Sequence, residues 1–124
     1  MSTIAEVLSI ILALVFLFSG AAKFSGSEMS AGSIEHLQIA PSTYRLAGIF
    51  ELLGALGLFL AAIGVIGTTL GWLAAFCLAA LMAMAVKFHT SVGDGPLPEN
   101  QTDGWAPAAA LGGLSLLAGL LILI

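Results

Sequence analysis

The sequence predicts an all-α polytopic membrane protein: a bundle of four transmembrane helices with a short interfacial or re-entrant segment between the first two spans. Composition is the first reason, because 60% of the 124 residues are hydrophobic and 8% are charged. A water-soluble domain of this size could not bury so much apolar surface. The second reason is the stretch from Leu52 to Val86, which contains no Asp, Glu, Lys or Arg. A bilayer core of about 30 Å is crossed by roughly 20 helical residues, so this stretch contains most of a two-helix hairpin with a tight turn.

The first span is predicted over residues 3–24, and we interpret it as a retained helix. Its leader contains Glu6, whereas a secretory signal begins with basic residues. The following loop, 25–43, contains four large apolar residues among polar neighbours: Met29, Ile34, Leu37 and Ile39. This mixture predicts the interfacial or re-entrant segment, which would cover one end of the bundle.

The other three spans complete a single transmembrane domain over residues 1–124. Pro41 precedes the second span, so Ser42 or Thr43 is its predicted helix start. Glycines and prolines between the third and fourth spans predict a solvated loop over 91–104. The three spans are predicted over residues 44–63, 69–89 and 106–124.

The positions of the basic residues predict the orientation in the membrane. All three, Lys23, Arg45 and Lys87, flank the two longer loops. The positive-inside rule therefore places those loops in the cytoplasm and both termini on the extracytoplasmic side. We predict a multi-pass protein of the cell inner (plasma) membrane.

Charge and cysteine content exclude two classes of function. A net charge of −4 with only three basic residues is incompatible with nucleic-acid binding. The single cysteine, Cys77, can form no disulfide within one chain and offers no CxxC pair. The partner that the composition does predict is the lipid bilayer.

Glu51 is the strongest candidate for a functional residue. It lies six residues beyond Arg45, about 9 Å deeper along an α-helix. An ionised side chain at such a position costs about 2.5 kcal/mol or more unless it is paired or wetted. The neighbours three and four residues away are all small, which suits close approach by another helix: Ala47, Gly48, Gly54 and Ala55.

A basic residue is the expected partner of this carboxylate. We predict a buried pair that faces the bundle interior, formed by Glu51 with Lys23 as first choice and Lys87 as second. Glu51 and Lys23 are also the candidate catalytic residues. Arg45 and His89 complete the predicted polar or ligand-binding cluster at the same end of the bundle.

Simpler interpretations of these charges remain open. A lysine at the end of a span normally extends its ammonium group to the membrane interface. A buried pair can serve only to fix helix register, while a carboxylate in a cleft can handle a proton or contact a ligand. Glu51 could also be a protonated, unpaired acid.

We interpret the two histidines and the glycines of the spans as structural residues. His36 and His89 lie on different elements without the spacing of a haem or metal site, so we predict interfacial histidines and no metal. Helix packing is the interpretation for six glycines: Gly20, Gly48, Gly54, Gly57, Gly67 and Gly71.

Two segments resemble a known family. They are Phe18 to Phe24 (FSGAAKF) and Tyr44 to Leu58 (YRLAGIFELLGALGL), in which the spaced GxxELxGA pattern is the most specific part. Together they resemble the DoxX-like family of small bacterial four-helix membrane proteins. Relatives include a membrane subunit linked to thiosulfate:quinone oxidoreduction, proteins associated with redox defence, and chaperones for receptor assembly. The resemblance therefore implies an accessory membrane subunit more than any particular reaction.

Three functions remain in competition. The first is an accessory, anchoring or assembly subunit associated with membrane redox systems, with a membrane protein or a second copy as partner. The second is an enzyme or quinone-linked redox subunit that acts on a lipid-soluble molecule, with Glu51 as the proton-handling carboxylate. The third is a small transporter. A quinone or another lipid-soluble ligand is compatible with the sequence, and no cofactor is required.

Overall fold

The computed structural model of the chain describes residues 1–24, 28–96 and 104–124. These residues form five α-helices and no strand, which confirms the predicted all-α class. Four of the helices are long and apolar enough to cross a membrane, and the fifth is the short segment between the first two spans. The helices are α1 (Thr3–Phe24), α2 (Glu28–Leu37), α3 (Pro41–Ala62), α4 (Thr68–Ser91) and α5 (Ala106–Leu123).

The four long helices pack in a closed ring. α1 packs on α3, α3 on α4, α4 on α5, and α5 returns to α1. Phe16, Leu58 and Leu78 are among the largest fully buried side chains in the centre of this ring. Large apolar side chains such as Ile4 and Phe18 point outward, where a bilayer solvates them as well as a protein core would. The chain therefore buries apolar residues inside the bundle and presents others to lipid.

Helix boundaries differ from the predicted spans by a few residues. α3 begins at Pro41 with Ala40 as the N-cap, and no side chain caps it. Proline favours the first helical position because its missing N–H would have no partner there, so Ser42 and Thr43 lie inside the helix. α4 continues to Ser91, whose hydroxyl donates to the carbonyl of Lys87. The tight turn between α3 and α4 includes Gly64 at φ +81°, a conformation that glycine adopts without strain.

The predicted segment between the first two spans contains the short helix α2. This helix contacts α4, and its end is marked by Gln38 at φ 57°. We call the end of the bundle that carries α2 and the α4–α5 connection the α2 end. Three parts of the predicted segments lie outside the described residues: residues 25–27, the side chains of residues 28–30 (among them Met29), and residues 97–103 of the predicted solvated loop.

Glycines allow the helix backbones to approach closely at several positions. A Cβ atom added to Gly20 would lie 2.8 Å from the carbonyl oxygen of Gly48, and one added to Gly54 would lie 2.6 Å from Leu78. Gly57 and Gly71 also pack closely, against Ala74 and Ala61 respectively, with added Cβ atoms at 3.0 and 2.8 Å. Five of the six predicted packing glycines thus lie at helix contacts.

Gly67 departs from the packing prediction. Among the described residues, no atom outside its own neighbourhood comes within 4 Å of an added Cβ. Gly67 is instead the N-cap of α4, with φ −68° and ψ 158°. The spacing Gly67-x-x-x-Gly71 therefore brings only its second glycine into contact with another helix.

Candidate functional site

Glu51 is buried between α1 and α3, where it meets a lysine and a serine. Its side chain is 2% exposed, and Oε2 lies 2.8 Å from Nζ of Lys23. The hydroxyl of Ser19 donates to Oε1 at 3.1 Å, and Lys23 Nζ donates to Ser19 Oγ at 3.1 Å. Nζ also lies 5.5 Å from the centre of the Tyr44 ring, within the range of a cation–π interaction. The four side chains form one connected polar cluster.

Local helix geometry explains why these side chains meet. Ser19 and Lys23 are four residues apart on α1, so they project from the same face. Gly20 lies between them and lets the backbone of α1 approach Gly48 on α3. Glu51, one turn further along α3 than Gly48, is then within reach of both α1 side chains. The glycine contact therefore positions the charged pair.

The carboxylate of Glu51 retains hydrogen-bonding capacity. Among the described residues, Oε2 accepts no well-directed hydrogen bond, although Lys23 balances its charge at 2.8 Å. A carboxylate oxygen has two lone pairs and normally uses them when it is buried.

A cavity of about 300 Å³ adjoins the cluster and extends toward the α2 end. All five helices contribute to its walls. Most of the lining is apolar: Leu37, Ile39, Leu46, Phe50, Leu81, Met82, Met84, Phe88 and Leu111 are among these residues. The polar side chains that line it are Ser19, Lys23, Ser33, His36, Thr43, Tyr44, Glu51 and His89. Apolar walls with a few convergent polar groups are typical of small-molecule sites.

A second polar cluster lies at the α2 end of this cavity. Oδ1 of Asp94 lies 2.6 Å from Nε2 of His36 on α2, and Oδ2 lies 2.6 Å from Nδ1 of His89 on α4. The Asp94 side chain is 4% exposed, compared with 39% for His36 and 16% for His89. One buried carboxylate thus holds two imidazole rings that both line the cavity.

A family model described as the DoxX-like family matches residues 7–118. This chain belongs to the DoxX-like family. The matched region includes Ser19, Lys23 and Glu51, and also the His36–Asp94–His89 cluster. No curated protein and no solved structure matches the chain.

In this DoxX-like protein, some of the residues predicted for the polar cluster line the cavity and others lie outside it. Lys23, Glu51 and His89 all line the cavity. Arg45 and Lys87 are exposed and do not line it. Lys23, the first choice, is therefore the partner that Glu51 meets, and Lys87 lies outside the site as an ordinary interfacial lysine would.

Sequence reasoning missed Asp94 and the shared role of the two histidines. Asp94 follows the end of α4 by three residues, and its contact with His89 spans only five positions. A spacing of five positions could have indicated the contact with His89. The contact with His36 spans 58 positions, and no sequence pattern indicates it. Within the three described ranges, no group of three or more His, Cys, Asp or Glu could hold a metal ion.

Proposed function

We propose that this DoxX-like protein binds a lipid-soluble small molecule with a polar head group, of the quinone type, and acts as a quinone-linked membrane redox subunit. The observation that supports the proposal is the cavity of about 300 Å³ at whose inner end Glu51 and Lys23 meet. Its volume lies at the lower end of the range for small-ligand sites, about 300 to 1,000 Å³. A ring system of one or two fused rings suits such a space.

The chemistry of the lining supports a quinone-type head group. Phe50, Phe88 and Met84 offer flat and adaptable apolar contacts to an aromatic ring. Lys23 is a donor for a carbonyl oxygen, and Glu51 is an acceptor for a hydroxyl group. Glu51 is therefore the residue proposed to exchange a proton with the ligand, and Lys23 the residue that balances its charge.

Sidedness in the inner membrane is part of this proposal. Lys23, Arg45 and Lys87 lie near the α2 end, where the longer connections are. The positive-inside rule supports a cytoplasmic α2 end and extracytoplasmic termini. The cavity would then be reached from the cytoplasmic leaflet.

The accessory or assembly role predicted from the sequence stays a prediction. It is compatible with ligand binding, since a quinone-binding subunit can belong to a larger complex or to a homo-oligomer.

The transporter prediction has less support. Beyond Glu51 the bundle is closed by Phe16, Leu58 and Leu78, each at most 1% exposed. A polar path through one copy would have to cross this apolar layer.

Intrinsic fluorescence offers a direct binding test, with menadione as the quinone probe. The chain has two tryptophans: Trp105 adjoins the cavity-lining residues Gly104 and Pro107, whereas Trp72 lies near the opposite end of α4. In the Trp72→Phe variant, we expect menadione to quench Trp105 saturably in detergent micelles. The Trp105→Phe variant should show only weak, linear quenching of Trp72.

Filling the cavity should abolish this binding. We expect Ala108→Phe to raise the menadione Kd by about tenfold or more, corresponding to about 1.4 kcal/mol, because Ala108 lines the cavity. Ala110→Phe is the matched control, since it makes the same change on the exposed face of α5. Equal quenching in wild-type, Ala108→Phe and Ala110→Phe proteins would refute the proposed quinone site.

A further inference from the structure

The Asp94 cluster fixes the hydrogen-bonding state of the two imidazole rings. An ionised carboxylate can only accept hydrogen bonds, so each ring nitrogen that faces it carries the hydrogen. These nitrogens are Nε2 of His36 and Nδ1 of His89, both at 2.6 Å. In a neutral ring the other nitrogen is then an acceptor, which for His89 is Nε2.

His89 is the better placed of the two rings to receive a ligand. Its side chain is 16% exposed, compared with 39% for His36, and both rings line the cavity. The hydrogen bond that His89 makes among the described residues uses Nδ1, so Nε2 is the ring nitrogen that can accept from a ligand. A partly buried acceptor gains from a donor on the ligand.

From this geometry we infer that His89 accepts a proton or hydrogen bond from a hydroxyl group of the ligand, which is therefore a lipid-soluble phenol or hydroquinone. This inference rests on the proposed function, and it deepens it by naming the hydrogen-bonding group of the ligand. When the proton transfers, the ligand O–H bond breaks and Nε2 of His89 gains the hydrogen. The imidazolium that forms is paired with the Asp94 carboxylate, and the ligand keeps the electron pair as a phenolate.

Other titratable groups line the same cavity. Lys23 and Glu51 pair with each other, and the Tyr44 ring lies 5.5 Å from the Lys23 ammonium group, while Glu35 beside His36 is exposed. By helix rise, His89 is two residues from the end of α4 and Glu51 is ten residues from the start of α3. The two polar clusters therefore lie at different depths, so His89 and Glu51 offer separate contacts to one ligand.

A matched pair of ligands tests the inference. 7-Hydroxycoumarin carries one phenolic hydroxyl and fluoresces, and 7-methoxycoumarin has the same ring system without the donor. We expect the wild-type protein to bind the hydroxy compound about tenfold more tightly than the methoxy compound, because a hydroxyl donates to His89. In His89→Leu this preference should fall to about twofold or less, because leucine offers no acceptor, while 7-methoxycoumarin should still compete with menadione.

Glu35→Leu is the matched control, because it makes a leucine replacement at an exposed residue that does not line the cavity, and it leaves the Asp94–His89 contact in place. The hydroxyl preference should persist in this variant, and retention of the preference in His89→Leu would overturn the inference. Competition of 7-methoxycoumarin with menadione shows that each variant still folds with an intact cavity. Equal binding of both coumarins by the wild-type protein would overturn the role of His89 alone. If neither coumarin binds while menadione quenching stays saturable, only the inference about His89 fails. If menadione itself does not bind saturably, the proposed function fails as well.

Discussion

Replacing Lys23 by methionine is expected to lower the free energy of unfolding by about 3 kcal/mol. Methionine keeps the length and apolar stem of lysine but removes the ammonium group that lies 2.8 Å from Glu51. The carboxylate would then be buried without a counter-charge, since its side chain is only 2% exposed. Equilibrium unfolding of the purified protein in mixed micelles with increasing SDS measures the effect.

The substitution Glu51→Gln should lower the free energy of unfolding much less than Lys23→Met does. Glu51→Gln leaves Lys23 without its partner, but this side chain is 21% exposed and its ammonium group can extend to the interface. The double variant Lys23→Met with Glu51→Gln should regain most of the stability lost in Lys23→Met, because no buried charge remains. Additive losses in this double-mutant cycle would show that the two side chains do not interact.

Replacing Gly20 by valine is expected to disrupt the contact between α1 and α3. An added Cβ would lie 2.8 Å from the backbone oxygen of Gly48 and 2.8 Å from Leu52 Cγ. The backbone atom cannot rotate away, so the helices must separate, at a cost of about 3 kcal/mol. Ser19 and Lys23 move with α1, so the variant should also lose saturable menadione binding. Thermal unfolding by circular dichroism and Trp105 quenching measure the two effects.

Ala21→Val provides the control for this prediction. Ala21 is the next residue on α1 and is exposed, so its added methyl groups meet lipid or detergent instead of α3. Stability and menadione binding should both remain close to wild type. If Gly20→Val were as stable as Ala21→Val, the close approach of Gly20 to Gly48 would not exist in the protein.

The charged pair could be predicted because the cost of isolated charges in a membrane is large. Glu51 lies too deep along its helix to reach water, so the sequence demands a partner for it. Ser19 and Gly20 lie four and three residues before Lys23, so all three share one face of α1, and the small residues suit that face for close approach by another helix. The lengths of the apolar stretches likewise predict the four spans, because a helix needs roughly 20 residues to cross the bilayer.

The histidine cluster could not be predicted in this way, because it depends on where two connections meet in space. His36 lies in the last turn of α2, and Asp94 follows α4, 58 positions later. Neither residue lies deep in a span, so no desolvation argument requires a partner for it. Only the packing of α2 over the bundle brings them together.

Helix starts and small-residue spacings were predicted less well, for a local reason. Pro41 and Ser42 are both favourable near a helix N-terminus, so a helix that starts at one differs little in free energy from a helix that starts at the other. Gly67 and Gly71 have the spacing of a helix contact, but Gly67 lies at the end of its helix, before any neighbour reaches it. Spacing alone does not say where a helix begins.

The distance between Lys23 and Glu51 in a lipid bilayer tests the central claim most directly. The chain contains two lysines, so Lys87→Gln with ¹⁵N at the lysine side chain leaves Lys23 as the only labelled ammonium group. Solid-state dipolar recoupling to ¹³C-labelled glutamate carboxyl carbons should show a contact within about 4 Å. Glu51→Gln should abolish this contact. A folded protein without the contact, or one in which it persists after Glu51→Gln, would contradict the account.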